Sequence, residues 1–264
     1  MAMKIHYLGT CSGTEPMKGM HHTSLVIETG GSLYWFDTGE NCAHAAYTSG
    51  LEVMKTKAIF ISHPHVDHIG GFANLLSVFH KLVGAFGHRF LPDNTLSVYF
   101  PGLETFDAIK KVTLGGSKKG GKLPFGIIEN ELSDGVIYED ENIRVTALHN
   151  LHLGEDGSDG WHSFSFLIEA EGKRVVFSGD VWNSEELDPI IIDGCDYLIH
   201  ETGHHKVSDV IEYAFSRKVR AVRFTHHGRA IINDRPAMQS LVDSENEKFP
   251  LGAKICYDGM TEEI

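Results

Sequence analysis

Short apolar runs separated by turn signals extend along the whole chain. In the first third, residues 4–8, 24–28 and 33–36 read as strands, with Gly30-Gly31 turning the last two into a hairpin. Residues 41–48 read as a short helix that Asn41 can cap. The apolar run Ala58-Ile59-Phe60-Ile61 reads as a buried strand. Over residues 72–86, Leu75, Leu76, Phe79, Leu82 and Val83 fall at helical spacing; residues 96–100 then read as a strand and 104–112 as a helix. The second half is organised in the same way. Strands are expected at 143–148, 164–168, 175–177, 197–199, 221–224 and 254–257, with Glu171-Gly172 as a turn. Helices are expected at 207–215 and at 236–243, the latter with Pro236 at its start. No low-complexity linker or repeat interrupts the pattern. The expected class is α/β, with residues 1–264 in a single domain.

The hydrophobic fraction of 42% is enough for a sizeable core. With 23 Lys plus Arg against 36 Asp plus Glu, the net charge is −13. An acidic chain lacks the basic footprint of a general nucleic-acid binder. Two bound divalent cations would still let a small anion approach. The four cysteines, Cys11, Cys42, Cys195 and Cys256, are far apart and form no Cys-x-x-Cys pair. No signal peptide and no apolar run of spanning length is read, so a cytoplasmic protein without a membrane partner is expected.

The chemistry concentrates at residues 61–71, Ile-Ser-His-Pro-His-Val-Asp-His-Ile-Gly-Gly. Four metal-capable side chains, His63, His65, Asp67 and His68, follow directly on a buried strand. His63 and His65 can point to one side of an extended segment, and Asp67 and His68 come after the chain turns. One segment can thus offer two pairs of ligands to two adjacent metals. Imidazole suits zinc, and a neighbouring carboxylate suits a second divalent ion.

His-x-His-x-Asp-His resembles the signature of the metallo-β-lactamase superfamily. Five further pieces, in family order, resemble its ribonuclease Z branch: residues 8–14, 36–40 (Phe-Asp-Thr-Gly-Glu), 178–180 (Ser-Gly-Asp), 199–202 (Ile-His-Glu-Thr) and 224–227 (Phe-Thr-His-His). The resemblance implies a metallo-β-lactamase-type α/β/β/α sandwich. It also implies two divalent metal ions, most simply zinc, with manganese or iron as alternatives. His63, His65 and His152 would hold one ion; Asp67, His68 and His226 the other; Asp180 would bridge. A hydroxide between the metals would be the nucleophile, with Asp67 orienting it. His149 competes with His152 for the middle ligand, and His227 with His226 for the last.

The branch also implies a general acid in the loop after Glu201, where His204 has the family spacing and His205 is one residue off. His200 reads as a strand-end residue that orients a neighbour. Ribonuclease Z carries an arm that grips transfer RNA between the middle His and the Gly-Asp. Here that interval is short, and residues 154–160 are acidic, so transfer RNA is not expected as a substrate. The expected function is a metal-dependent hydrolase, a phosphodiesterase acting on a small or cyclic phosphodiester; hydrolysis of a lactone, thioester or other carbonyl ester is the alternative. A homo-oligomer is compatible with the chain. Residues 116–122 superficially fit a phosphate-binding loop, but Leu123 and Pro124 spoil it. Trp161 and Trp182, close in sequence to metal-site segments, read as core packing.

Overall fold

The computed structural model describes residues 2–13, 17–115, 121–154 and 161–264. Residues 116–120, and 155–160 of the acidic segment, lie outside the described residues. Fourteen strands are present among those described: β1 (Lys4–Gly9), β2 (Ser24–Thr29), β3 (Ser32–Thr38), β4 (Thr56–Phe60), β5 (Thr95–Phe100), β6 (Gly126–Glu131), β7 (Gly135–Glu139), β8 (Arg144–His149), β9 (Phe164–Ala170), β10 (Lys173–Phe177), β11 (Tyr197–Thr202), β12 (Ala221–His227), β13 (Lys254–Ile255) and β14 (Met260–Glu263). They form two seven-stranded sheets, ordered β14-β1-β2-β3-β4-β5-β6 and β13-β12-β11-β10-β9-β8-β7. The helices are α1 (Cys42–Thr48), α2 (Val66–Ile69), α3 (Phe72–Phe86), α4 (Leu103–Leu114), α5 (Asp188–Ile191), α6 (Val207–Ser216), α7 (Arg229–Asn233) and α8 (Arg235–Lys248).

Alternation along the central strands explains the layers. In β3, Tyr34 and Phe36 join a core between the two sheets with Phe60, Phe166 and Phe177. The intervening Leu33 and Trp35 join a second core with Phe72, Leu75, Leu76 and Phe79 of α3. On the other sheet, Val176, Leu198 and Val222 pack against Val207, Val210 and Ile211 of α6. Helices therefore cover the outer face of each sheet, giving the expected α/β/β/α sandwich. Helices α2 and α3 together make an apolar stretch of spanning length, but Phe72, Leu75, Leu76 and Phe79 are fully buried in this core.

Three strands were not anticipated: β6, β7 and β14. All three lie at sheet edges, and β6 and β7 carry largely exposed or half-buried side chains. Asn41 does not cap α1. It adopts a left-handed φ of 66°, and its Nδ2 lies 3.0 Å from the His21 ring.

The strands β3, β4 and β5 run parallel, as do β10, β11 and β12. β8 is antiparallel to β9, which is antiparallel to β10, so β8 ends at the same edge as β10. The C-terminal ends of β4, β8, β10, β11 and β12 thus meet along one edge of the sandwich, where ligands bind in open sheets of this kind. The two sheets come close together there. Phe164 donates its N–H to the Ser62 carbonyl at 2.9 Å. Gly179, at φ 56°, has no room for a Cβ, which would sit 2.9 Å from the Phe164 carbonyl and 3.0 Å from Ser62 Cβ.

Candidate metal centre

All seven residues of the expected ligand set converge at this edge. His63 and His65 lie on the extended segment after β4, and Asp67 and His68 on the first turn of α2. Ligand-capable atoms of His63, His65 and His152 lie within 4.8 Å of one another, as do those of Asp67, His68 and His226. The buried Asp180 carboxylate stands between the two groups. Its Oδ2 is 3.8 Å from His63 Nε2, 3.7 Å from His152 Nε2 and 3.3 Å from His226 Nε2; its Oδ1 is 3.5 Å from His68 Nε2. Asp67 Oδ2 lies 3.1 Å from His226 Nε2 and 3.4 Å from His68 Nε2.

The backbone explains how each side chain arrives. In the β11–β12 pair, Glu201 faces Thr225 and Thr202 faces His227, which leaves His226 as an extra residue. His226 takes a left-handed φ of 48°. A bulge of this kind re-aims a side chain out of the ladder, here toward Asp67 and Asp180. His227, the alternative, points elsewhere: its Nε2 lies 2.8 Å from the Cys256 carbonyl and its Nδ1 3.2 Å from Thr202 Oγ1. For the middle histidine, the buried Asn150 accepts the His152 N–H at 3.1 Å and so fixes the loop after β8. His149 bonds to Asp134 at 2.7 Å and stacks on Trp161, with ring centroids 3.8 Å apart.

Two carboxylates were quoted only as parts of longer motifs and had no role assigned. Asp37, fully buried at the end of β3, accepts from the Ser62 N–H at 2.7 Å and from Ser62 Oγ at 2.8 Å. It also meets His68 Nδ1 at 2.7 Å. This directs His68 Nε2 at the centre, since the partner of one ring nitrogen sets the role of the other. Glu201 does the same for His204, accepting its backbone N–H and meeting its Nδ1, both at 2.8 Å. Glu201 Oε2 also lies 3.7 Å from His226 Nδ1. A sequence signal existed for both: an acidic residue at the end of an otherwise apolar strand.

The charges are strongly coupled. Burial opposes charge on His226, but Asp180 and Asp67 outweigh it and push its pKa up to about 9. Burial likewise opposes charge on His68, yet Asp180 and Asp37 raise its pKa well above the usual value. His63 goes the other way: burial, then the neighbouring imidazoles of His68 and His152, hold it well below. The hydrogen bond to Glu201 raises His204.

These residues fit a bound divalent metal. His68 Nε2 and Asp180 Oδ1 are buried, face each other and lack a hydrogen-bond partner, a costly arrangement that a cation seated between them relieves. His63 Nε2 and His65 Nδ1 are 3.0 Å apart with His152 Nε2 3.3 Å from the latter. A cluster of imidazole nitrogens with carboxylates is the donor chemistry of zinc, manganese or iron.

The centre opens into a cleft of about 410 Å³ lined by Ser12, Gly13, His65, Val66, Asp67, His152, Asp180, Gly203, His204 and His226. His204 lines it. His205 instead lies with Nε2 3.0 Å from the Val181 carbonyl. His200 is buried in β11, between Ser184 Oγ and the Glu201 carbonyl. Trp161 packs against the inter-sheet core as expected. Trp182 does not: it is 72% exposed, because its backbone sits on the loop outside the layers.

Comparison with known proteins agrees with this picture. The family described as anti-Pycsar protein Apyc1 matches residues 3–98. Ribonuclease Z of Listeria welshimeri is 28% identical over 190 residues, 70% of this chain and 55% of that protein. The chain thus spans about half the length of the ribonuclease Z relatives it matches. Ribonuclease BN of Proteus mirabilis is 26% identical, covering 93% of this chain and 81% of that protein. Among solved structures, the metallo-β-lactamase fold protein YhfI from Bacillus subtilis superimposes with a TM-score of 0.73 at 19% identity, covering 100% of both chains. The short form of human tRNase Z gives 0.71 at 18%, covering 98% of both. A diphosphatase from the PhnP family gives 0.65 at 15%, covering 99% of this chain and 98% of that one.

The chain has the metallo-β-lactamase fold. Within it, the sequence relatives lie in the ribonuclease Z/BN branch. Those relatives are ribonucleases by name, and one structural neighbour is a tRNase. Those names do not fit the expectation, drawn from the short and acidic interval between His152 and Asp180, that set transfer RNA aside.

Proposed function

We propose that the chain is a dinuclear metal-dependent phosphodiesterase that hydrolyses a small or cyclic phosphodiester in the Asp180 cleft. The observation that carries this reading is the pair of three-residue groups arranged about one buried carboxylate. His63, His65 and His152 would hold one divalent cation, and Asp67, His68 and His226 the other, with Asp180 shared. When bound, the ions would supply a water acidified toward neutrality and would offset negative charge on the substrate. Zinc fits the donors best, with manganese or iron as alternatives.

The chain's own residues supply the rest. Asp37 holds His68 in register, and Asn150 holds the His152 loop. Asp67, whose carboxylate opens onto the cleft, orients the attacking water. Glu201 accepts a hydrogen bond from His204 Nδ1–H and favours the protonated form of the ring. His204 Nε2 is then free to give a proton to the departing oxygen. His205 is the less suited of the two, because its Nε2 is already engaged with a backbone carbonyl.

The PhnP-family neighbour, a diphosphatase by name, supports a phosphoryl substrate, and the size of the cleft supports a small one. The ribonuclease relatives support a second reading, cleavage of an RNA phosphodiester by the same centre. The test is turnover by metal-loaded protein of cyclic and bis-aryl phosphodiesters, a transfer-RNA precursor, lactones and thioesters. Hydrolysis of the small phosphodiesters is expected. Cleavage of the precursor alone would replace this reading with the RNA one. Turnover only of lactones or thioesters would replace both with a carbonyl-ester hydrolase.

A further inference from the structure

One side chain outside the metal centre ties together two of the segments that build it. Glu186 Oε2 accepts the Trp182 N–H at 3.2 Å and the Leu151 N–H at 3.4 Å. Trp182 lies two residues after Asp180, and Leu151 directly precedes His152. Each bond is longer than the usual ~2.9 Å, but one oxygen makes both. The other oxygen, Oε1, is buried without a hydrogen-bond partner. A carboxylate placed this way is poorly satisfied, which a role in holding the two segments would explain.

The support under Glu186 is firm. It stands on the 3-10 turn Ser184–Leu187, where Leu187 is fully buried and Ser184 Oγ lies 3.0 Å from His200 Nε2 of β11. The turn after Asp180 has a second hold, because the Val181 carbonyl meets the His205 ring at 3.0 Å. The His152 loop is held differently. Asn150 anchors it to β9, with its N–H on the Ser163 carbonyl at 2.9 Å and its Nδ2 on Ser165 Oγ at 3.1 Å. The Leu151–Glu186 bond is what ties it to the segment that bears Asp180. Across that junction His152 Nε2 stands 3.7 Å from Asp180 Oδ2.

The two three-residue groups differ in how far they depend on such a loop. Asp67 and His68 share α2, and the strand bulge sets His226. His63 and His65 share one extended segment, but their third member, His152, comes from the loop after β8.

We propose that Glu186 is a positioning residue that holds the His152 loop against the Asp180 turn, and so sets the metal affinity of the His63, His65 and His152 position. The inference rests on the dinuclear reading and adds to it a residue that acts through two backbone N–H groups rather than as a ligand.

The experiment titrates zinc into chelator-treated wild type, Glu186→Met and Glu186→Gln in competition with a chromophoric chelator. Met is of similar length and has no oxygen for the two N–H groups, whereas Gln keeps one. Wild type should fill two positions. In Glu186→Met one of them should weaken about ten- to a hundredfold, the usual effect of losing a partner behind a ligand, and the other should not change. Glu186→Gln should stay close to wild type. Unchanged affinity in Glu186→Met overturns the proposal, as does equal weakening of both positions. Equal weakening in the Gln and Met variants also overturns it, because the charge of Glu186 rather than its bonds would then matter.

A second readout needs no metal. In chelator-treated protein the Leu151 and Trp182 amides should exchange with deuterium faster in Glu186→Met than in wild type, and Glu186→Gln should restore their protection. Glu186 is only half-buried, so the metal-free melting temperature should be the same in all three. Equal exchange in all three, or a metal-free Glu186→Met that is less stable as a whole, overturns the proposal. If wild type takes up fewer than two zinc ions, the dinuclear reading falls, while amide exchange still decides whether Glu186 holds the two segments together.

Discussion

The Glu201 carboxylate lies 2.8 Å from His204 Nδ1, which leaves the other ring nitrogen of His204 for the cleft. Glu201 is almost fully buried, whereas the His204 side chain is half exposed. A buried anion thus holds a reachable proton donor in one orientation. His204→Ala should slow substrates with alkoxide leaving groups about a hundredfold more than nitrophenyl esters, because nitrophenolate departs without a proton. Glu201→Gln should show the same selectivity in weaker form, and His205→Ala should not show it. Equal losses across leaving groups in His204→Ala would take the acid out of this loop.

Metal content tests the centre separately from its chemistry. Protein purified without chelator should carry about two divalent ions per chain, since folded ligand clusters of this type bind tightly at neutral pH. Asp180→Ala removes the one carboxylate that faces both groups, so its metal content by elemental analysis should fall below one equivalent. Full occupancy of both positions in that variant would show that Asp180 is not shared.

The parts of this architecture legible in the sequence are those whose cause is local. The doubly buried runs of β3 and β4 and the apolar stripe of α3 are visible as patterns because each is buried along its own length. The strands β6, β7 and β14 escaped because edge strands need bury little: Ile128 and Val136 are exposed, and β14 consists of Met260-Thr261-Glu262-Glu263. Strand ends were cut short where polar residues such as Thr38 and Thr202 continue the ladder. At the centre, the His63–His68 cluster is contiguous and therefore readable. Asp37 stands out as an acidic end to an apolar strand, but its contact with His68 joins residues 31 positions apart, so its partner is not legible locally. The bulge that turns His226 inward is a property of strand register, which one strand's sequence does not encode. Trp182 was misread because an indole is usually buried, and only its position outside the layers reverses that.

Close packing around His226 gives a third test. A Cβ on Gly203 would lie 2.7 Å from His226 Nδ1 and 2.8 Å from its Cε1. Gly203→Ala must therefore displace the imidazole or the loop. Turnover should fall about a hundredfold, the usual result of a misplacement near 1 Å at a reacting centre. Stability should drop by about 1–3 kcal/mol, as for other overpacked sites. Unaltered turnover would mean that the His226 ring has freedom the close contact denies it.

The last prediction concerns acid stability, away from the metal centre. Asp140 accepts the Tyr34 hydroxyl at 2.7 Å and the Tyr138 hydroxyl at 2.9 Å, one from each sheet. It also accepts the N–H groups of Asn142 at 2.8 Å and Ile143 at 3.0 Å, and meets Lys57 at 3.3 Å. Burial disfavours its charge, but the bonds from Tyr34, Asn142 and Tyr138 outweigh that and hold its pKa below the usual 3.8. A carboxylate whose folded pKa is depressed stabilises the fold fully above its unfolded value. That contribution is lost as pH falls through 3.8 toward the folded value. Asp140→Asn keeps the shape and removes the charge. In denaturant unfolding of chelator-treated protein, it should cost about 2 kcal/mol at pH 7, the range for hydrogen bonds to a charged group. The gap from wild type should narrow as the pH drops below about 4, where the wild-type carboxylate begins to protonate as well. A gap that stays constant from pH 7 to pH 3 would mean that the charge of Asp140 contributes nothing to joining the two sheets.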